Sequence, residues 1–259
     1  MSSKQTINAY RYGLSILIRR LLWDLRLKSW SSRKKMKSLK HKFKGEKAII
    51  ICNGPSLNST DLSLLDGVYT FGLNKINLLF DKTTFRPSCI VSVNPFVIEQ
   101  NASYYNKTDI PLFLDKVATK HVRSRDSTYY LHSTPVRQFA KDCSLSIYQG
   151  YTVTFVAMQL AFHMGFKKIG LIGCDHNFAT KGAANKTVVS GKEDPNHFDP
   201  NYFAGGQKWQ LPDLLESEIS YMMAKIIYQD DNREIINCTN GGKLEIFERQ
   251  SIEDFFSKG

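Results

Sequence analysis

The sequence lacks a paired-cysteine pattern and a long apolar run. Its five cysteines are scattered through 259 residues, without the short pair spacing that metal sites use. Because no secretory signal peptide is recognisable either, the pattern predicts reduced core thiols in a cytosolic protein rather than a disulfide framework. No apolar run approaches the ~20 residues that a bilayer-spanning helix needs, so we expect no transmembrane segment.

Most of the chain also lacks net positive charge, although the formal net charge of the whole chain is +11. Residues 1–47 hold 14 Lys and Arg against two acidic residues, a net charge of +12, whereas the remainder holds 21 against 22, a net charge of −1. A nucleic-acid-binding domain would carry its own basic face, so the near-neutral charge of the residues after 47 argues against nucleic-acid binding. The apolar fraction of 42% is typical of a folded globular chain with an ample core.

The basic amino-terminal part has the periodicity of an amphipathic helix. Leucine and isoleucine recur at helical spacing between Tyr10 and Trp30, with arginines among them, and lysines follow from Arg33 to Lys44. A basic helix that carries tryptophans predicts contact with an anionic membrane surface. The alternative is a helix that packs on the body or on a partner. We therefore divide the chain into a basic leader, residues 1–45, and a body, residues 46–259.

Short apolar runs in the body predict buried parallel strands that end on asparagine. Three such pairs are Ala48–Cys52 with Asn53, Tyr69–Leu73 with Asn74, and Cys89–Val93 with Asn94. After the first run, Gly54 permits close approach of a ligand to the main chain, and Ser56 can cap a following helical turn. Open α/β sheets bind ligands at the carboxyl edge, where these asparagines would lie. Ordinary turn chemistry, which also favours asparagine, is the alternative.

The second half of the chain adds a buried helix, a further strand and a candidate lid. Residues 150–165 predict the helix, with Thr152 or Thr154 as its cap, and Lys168–Ile172 predicts a strand that ends near Asp175 and His176. An Asp-His pair at this place is a candidate catalytic or ligand position, with a structural role as the alternative. Polar and aromatic residues alternate from Asp194 to Phe203, which predicts a lid over a substrate. The alternation of strands and helices predicts an α/β fold, a single Rossmann-like domain with a mostly parallel sheet.

In this order, the motifs resemble the bacterial sialyltransferases that use CMP-sialic acid, and the related group of motility-accessory-factor or MptE-like proteins. The resemblance covers about residues 47–247, and its motifs are Asn53–Leu57, Asn74, Asn94-Pro95, Gly173–Asp175 with His176, and Gly241–Glu245. It implies a variant GT-A fold and a transferase that moves a sialic-like, Kdo-like or other nonulosonic sugar from a CMP-activated donor to a glycan, glycolipid or protein acceptor. It also implies no metal and no other cofactor, which agrees with the absence of an Asp-x-Asp motif.

The resemblance also implies roles for individual residues. Those expected at the nucleotide or donor are Asn53, Gly54, Pro55, Ser56, Asn74, Asn94, Thr152, Asn177, Asn240, Gly241, Gly242 and Lys243. A neutral histidine can deprotonate an acceptor hydroxyl, and helix N-terminal groups can stabilise a departing phosphate. His197 on the candidate lid is the predicted base, His176 is its rival, and Asp175 is the third candidate catalytic residue.

The chain departs from the sialyltransferase pattern at two places. His176 and Asn177 stand where that family has the first of two tyrosines for the leaving phosphate. Asn201 stands where the family lid has its second histidine, the base, whereas His197 matches the first. The choice between His197 and His176 therefore stays open, and the departures predict a donor other than sialic acid.

Two other function classes also stay open. An MptE-like pterin diphosphokinase would use ATP and Mg²⁺, which calls for clustered carboxylates, whereas Asp175 has no close carboxylate partner in the sequence. A non-enzymatic membrane-binding module would not need polar strand ends and a lid. For the transferase, we expect a cytoplasmic enzyme held peripherally at the inner face of the bacterial inner membrane, acting in lipopolysaccharide, capsule or flagellin glycosylation. Homo-oligomerisation is left open.

Overall fold

The computed structural model describes residues 8–180 and 182–257. The strands of these residues are β1 Lys47–Ile51, β2 Tyr69–Leu73, β3 Cys89–Ser92, β4 Leu112–Asp115, β5 Thr128–Leu131, β6 Lys168–Ile172, β7 Thr187–Val189, β8 Lys208–Gln210, β9 Glu234–Asn237 and β10 Glu248–Arg249. Eight of them form one sheet in the order β10-β9-β6-β1-β2-β3-β4-β5, and β7 pairs with β8 apart from it. All pairs within the large sheet are parallel, which confirms the predicted α/β fold with a mostly parallel sheet.

Helices cover both faces of this sheet. They are α1 Ala9–Asp24, α2 Leu27–Leu39, α3 Pro95–Gln100, α4 Ala102–Tyr105, α5 Val153–Met164, α6 Leu214–Asp230 and α7 Ile252–Ser257. Strand β1 shows why its apolar run is unbroken: Ile50 points into the core beneath α5 and α6, and Ile51 points into the opposite core. Both faces are buried, so each position of a central strand is apolar. The five cysteines are free and buried, as the prediction of core thiols required.

The direction of the strand order reverses between β1 and β6. The chain runs outward from β1 to β5, then returns to place β6 on the other side of β1, and continues to β9 and β10. Ile51 pairs with Ile172, so the loops that leave these two strands begin side by side. Ligands of open α/β sheets bind in the crevice at such a reversal, beyond the carboxyl ends of the strands.

The amino-terminal segment differs from the prediction of one continuous helix. It forms two helices, α1 and α2, separated by an extended Arg26. A face of α2 made of Ser29, Ser32 and Met36 is buried, and the Ser32 hydroxyl accepts a hydrogen bond from the Tyr130 N–H at 3.0 Å. The break between the two helices turns the buried face of α2 towards β5, so α2 packs on the body. None of the described helices is both long and apolar enough to cross a bilayer.

Two further local predictions were wrong. The sequence of residues 57–65 predicts a short helix, but the structure has a pair of short 3-10 turns, Pro55–Ser59 and Leu62–Leu65, since Pro55 starts a tight turn and Asp61 caps the next one. The glycine, alanine, lysine and aspartate of residues 180–195 predict a loop without regular structure, but this segment contains β7, which pairs with β8 before α6. The other predicted strands lie within one residue of their observed bounds.

Candidate active site

A cavity of about 660 Å³ opens at the reversal between β1 and β6. Its walls include the loops after β1, β2, β3 and β6, the start of α5, and the segments 177–180 and 182–213, which together we call the lid. The predicted site residues that line it are Asn53, Gly54, Asn74, Asn94, Thr152, Asp175, His176, Asn177 and His197. The others, Pro55, Ser56 and Asn240 to Lys243, lie outside this lining. The structure thus brings together the candidate residues of both halves of the chain.

The loop after β1 is joined tightly to Asp175. A Cβ atom on Gly54 would lie 1.9 Å from the Asp175 Oδ2, so only glycine fits at this position. The Ser56 hydroxyl donates to the Asp175 Oδ2 at 2.7 Å, and the Ser56 N–H lies 3.3 Å from both carboxylate oxygens. The carboxylate therefore fixes the shape of the Asn53–Ser56 loop, and its catalytic role stays a prediction.

The Asn240–Lys243 loop supports Asp175 from outside the cavity. Gly242 has φ +77°, and a Cβ there would meet the Asp175 backbone at 2.9 Å. The Lys243 N–H donates to the Asp175 carbonyl at 2.8 Å. The guanidinium of Arg249 donates to the Gly241 carbonyl at 2.7 Å and holds the loop in place.

The three strand-end asparagines lie at one edge of the sheet, as predicted. The Asn94 side chain caps α3 through the Phe96 N–H at 2.9 Å, and Asn74 accepts from the Ser92 hydroxyl at 3.3 Å. Asn53 is different, because its Oδ1 is buried and has no hydrogen-bond partner within the described part of the chain. A buried acceptor without a partner is costly, and at a cavity wall it indicates a donor on a bound ligand.

The first turn of α5 faces the same cavity. Thr152 caps the helix by accepting from the Thr154 N–H at 3.3 Å, and its hydroxyl lies 3.3 Å from the Tyr221 hydroxyl. Because Thr152 accepts from the N–H groups of both Thr154 and Phe155, this 12-residue helix offers mainly the partial positive charge of a helix start. This wall of the cavity therefore favours an anionic group such as a phosphate.

The lid packs on the cavity through main-chain and aromatic contacts. The Phe198 N–H donates to the Asn53 carbonyl at 2.9 Å, and the Asn58 amide donates to the Phe198 carbonyl at 2.8 Å. The rings of Phe203 and Trp209 stack with centroids 5.5 Å apart, and both are buried. The lid is thus an ordered wall whose aromatic residues extend the core.

Lys75 anchors the lid, and no sequence pattern points to this role. Its ammonium donates to the Tyr202 carbonyl at 2.7 Å and to the side-chain oxygens of Gln100 and Gln207 at 2.8 and 2.7 Å. The side chain is buried against the Phe203 ring, 4.6 Å from its centroid. Burial lowers the pKa of Lys75 to about 8. Its acceptors come from residues up to 132 positions away, so no local pattern reveals them.

His197 has the geometry of an oriented base. Its Nδ1 lies 2.7 Å from the Asp194 Oδ2, and its ring stacks on Tyr202 at 4.0 Å with 3° between the planes. Burial raises the pKa of Asp194, but the hydrogen bond and charge of His197 outweigh it and hold this pKa below its ordinary value. The ionised carboxylate keeps the proton on Nδ1, which leaves Nε2 to accept another.

His176 has a weaker support. Its Nε2 lies 2.9 Å from the Glu218 Oε1, which belongs to α6 and is nearly half exposed. The residue adopts a left-handed backbone conformation with φ +50°. The nitrogen that faces the carboxylate is Nε2, so Nδ1 would have to act in any proton transfer. Both histidines line the cavity, and the buried partner distinguishes His197.

A further polar group at the cavity was missed in the sequence. The Gln149 amide donates to the Ser133 hydroxyl at 2.8 Å, and that hydroxyl donates to the carboxylate of Asp115, at the end of β4. Burial raises the pKa of Asp115. Asp115 at a strand end was the available signal, and the weak patterning of residues 101–149 obscured it.

The described residues offer few ligands for a cation. Over residues 8–180 and 182–257, no three His, Cys, Asp or Glu side chains form a group that could hold a metal ion. Of the residues of this range that line the cavity, Asp175 is the one carboxylate, and it already accepts from Ser56. A Mg²⁺ ion at this cavity would therefore have to take most of its oxygen ligands from a bound phosphate and water.

Comparison with known proteins finds a similar solved structure and a matching family model. The fold is similar to that of the MAf glycosyltransferase from Magnetospirillum magneticum AMB-1, with a TM-score of 0.50 and 15% identity over 88% of this chain and 39% of that chain. The chain thus spans about two-fifths of that protein. No curated protein matches the sequence significantly. A family model described as "6-hydroxymethylpterin diphosphokinase MptE-like" matches residues 25–181, more than half of the chain, which therefore belongs to this MptE-like family.

Proposed function

We propose that this protein is a glycosyltransferase that moves a sugar from a CMP-activated donor to a hydroxyl group of a surface-glycan or protein acceptor. The observation that carries the proposal is that His197, joined to Asp194 at 2.7 Å, lines the same cavity as the first turn of α5. One wall supplies a base, and the other favours a departing phosphate.

The donor phosphate has two features on its side of the cavity. The start of α5 provides positive potential without a cation. The buried Asn53 Oδ1 accepts a donor group of the nucleotide, such as an amino or hydroxyl group. The donor therefore lies across the reversal between β1 and β6.

The reaction follows from this placement. The acceptor O–H bond breaks, and its proton passes to the Nε2 of His197 while the Nδ1–H donates to Asp194. The acceptor oxygen forms a bond to the anomeric carbon as the bond from that carbon to the phosphate oxygen breaks. CMP leaves with the electron pair, and the protonated His197 returns its proton to solvent.

The comparisons support the class of reaction, sugar transfer, and carry no information on the identity of the donor. The MptE-like family and the fold likeness to a protein described as a MAf glycosyltransferase both favour sugar transfer. The CMP-activated, nonulosonic donor rests on the resemblance of the Asn53–Leu57 and Gly173–Asp175 motifs to the sialyltransferases. His176, at the place of a phosphate-binding tyrosine in that family, agrees with a donor other than sialic acid.

The family description also favours a second candidate, a 6-hydroxymethylpterin diphosphokinase that would use ATP. Magnesium nucleotide sites are built from carboxylates and phosphate oxygens. Among the described residues, the cavity supplies one carboxylate for this purpose, Asp175, whose Oδ2 accepts from the Ser56 hydroxyl. For this reason we rank the kinase second.

Thermal unfolding with a panel of nucleotides separates the two candidates. CMP, CDP, UDP, GDP and ATP are each added with and without Mg²⁺, because a ligand that binds the folded state raises the melting temperature by mass action. The proposal predicts stabilisation by CMP or CDP that does not depend on Mg²⁺. Stabilisation by ATP in the presence of Mg²⁺ alone would overturn it in favour of the kinase.

A further inference from the structure

Helix α1 carries an apolar stripe that no described part of the chain covers. The stripe consists of residues whose side chains are between 46% and 90% exposed, namely Tyr10, Leu14, Leu17, Ile18, Leu21 and Leu25 just after the helix. At 100° per residue, these positions fall on one side of the helix. A continuous exposed stripe of this size is unusual on a monomeric protein and marks an interaction surface.

The opposite side of α1 attaches it to the body. Trp23 is buried there, and the Arg20 guanidinium donates to the Leu145 carbonyl and, at 2.9 Å, to the Ser146 hydroxyl. Trp23 lies about half a turn from Leu14 and Leu21 in angle, so the stripe points away from the body. The helix is therefore held in place by one face while its apolar face is available.

Positive charge lies on the polar side of α1 and just after the helix. Arg11, Arg19 and Arg26 are exposed, whereas the single acidic residue of α1, Asp24, already pairs with Arg20 at 2.7 Å. Residues 1–47 as a whole carry a net charge of +12. Next to the stripe, the Trp30 ring is largely exposed while its Nε1–H donates to the Asp24 carbonyl at 2.7 Å. A tryptophan has an apolar ring and one polar N–H group, and such side chains are enriched at the boundary between lipid and water.

We propose that α1 is a docking surface for an anionic lipid bilayer and lies in the bilayer surface with its apolar stripe inserted. A bilayer of anionic lipid offers an apolar layer for the leucines and negative charge for the arginines at the same time. A second copy of the chain would bring the same cations to the same contact, and their repulsion opposes self-association through this face.

The cavity adjoins α1, because Arg19 is part of its lining. At 100° per residue, Arg19 lies on the side of the helix away from the stripe, so docking holds the cavity near the membrane but on the water-facing side of α1. If the proposed transferase function holds, this keeps the cavity close to acceptors anchored in the same membrane. The docking itself does not depend on that function.

The test is co-sedimentation of the full chain with vesicles. Phosphatidylcholine vesicles with and without phosphatidylglycerol are compared for the wild-type protein, for Leu17→Glu/Leu21→Glu, and for Met222→Glu/Ile226→Glu. The control pair lies on α6 at the same i, i+4 spacing, is similarly exposed, and adds the same charge. Unfolding curves of the three proteins verify that each is folded.

The proposal predicts binding to the anionic vesicles that weakens with added salt. The α1 variant loses about tenfold or more in its partition coefficient, and the α6 variant binds as the wild type does. Equal binding by the α1 variant and the wild type would overturn the proposal, as would equal binding of the wild type to neutral vesicles. Absence of vesicle binding, with a dimer that the α1 variant dissociates, would assign the stripe to a second copy instead.

Discussion

The lid and α1 are both rich in large apolar residues at the surface of the fold, yet one is covered and the other is not. In the lid, Phe198 and Tyr202 are at most 2% exposed, and they pack into the core beside β1. In α1, the leucines of the stripe face away from the body. The same kind of residue thus closes the cavity in the lid and offers a contact surface on α1.

Polar anchors explain this difference. The lid is tied down by Lys75, by the Asn53 carbonyl and by the Asn58 amide, each of which fixes its main chain over the aromatic residues. In α1 the buried Trp23 lies on the face opposite the leucines, and Arg20 bonds to the body from the flank between them. Hydrophobicity alone does not decide which segment is buried; the position of the hydrogen-bonding groups relative to the apolar face does.

Replacement of a tyrosine in each region gives the largest expected contrast. Tyr202→Ala removes a buried ring that stacks on His197 at 4.0 Å, and should lower the free energy of unfolding by about 3–5 kcal/mol. Tyr10→Ala removes a ring that is 90% exposed, and should change it by less than about 0.5 kcal/mol. Urea unfolding measures both. Similar losses for the two variants would break the contrast between the lid and α1.

Asp194→Asn tests whether the lid acts in chemistry and does not merely cover the cavity. The amide still fits beside His197, but it no longer holds the proton on Nδ1, so kcat for sugar transfer should fall by about 10- to 100-fold. KM for the donor should change little, because Asp194 does not line the cavity. A rise in KM with unchanged kcat would mean that the pair shapes the donor site only.

The pH dependence of stability tests the Lys75 anchor. Burial lowers the pKa of Lys75 in the folded protein to about 8 from an ordinary value of 10.5, so between these values the unfolded chain binds more protons. Stability relative to Lys75→Met should therefore rise as the pH increases through this window. The expected gain is about 1–2 kcal/mol, smaller than the full shift would give because solvent screens the charge. A constant difference between the two proteins from about pH 7 to about pH 10 would contradict the burial of an ammonium at the lid.

The smallest expected effect concerns the surface charges of the lid. Lys82 pairs with Asp199 at 2.7 Å, but the lysine is half exposed, so Lys82→Met should lower the free energy of unfolding by no more than about 1 kcal/mol. The same urea experiment measures it. A loss as large as that of Tyr202→Ala would show that surface charge, and not aromatic packing, holds the lid.

Much of the sheet could be predicted because its strands are buried on both faces. Tyr69–Leu73 and Lys168–Ile172 are short apolar runs between turn residues, and their predicted bounds are the observed ones. The asparagines that follow the first three strands then had to share the carboxyl edge, because parallel strands all end there.

Other features depend on contacts that no local pattern contains. Periodicity continues across Arg26, and the break between α1 and α2 follows from the fit of Ser29 and Ser32 against β5. The β7–β8 pair is mostly exposed and lacks the apolar alternation of a buried strand. Within the site, Asp194 was seen only as part of the lid, since its role depends on the orientation of the His197 ring.

The most direct test of the proposed function is turnover of a CMP-activated nonulosonic sugar, followed as CMP release with an acceptor present, for the wild type, His197→Ala and His176→Ala. The account predicts turnover by the wild type and a loss of about 10²- to 10⁴-fold in His197→Ala, with CMP still raising its melting temperature. His176→Ala should keep most of the activity, because its Glu218 partner is half exposed. Full activity in His197→Ala, or its loss in His176→Ala alone, would contradict the assignment of the base to the lid.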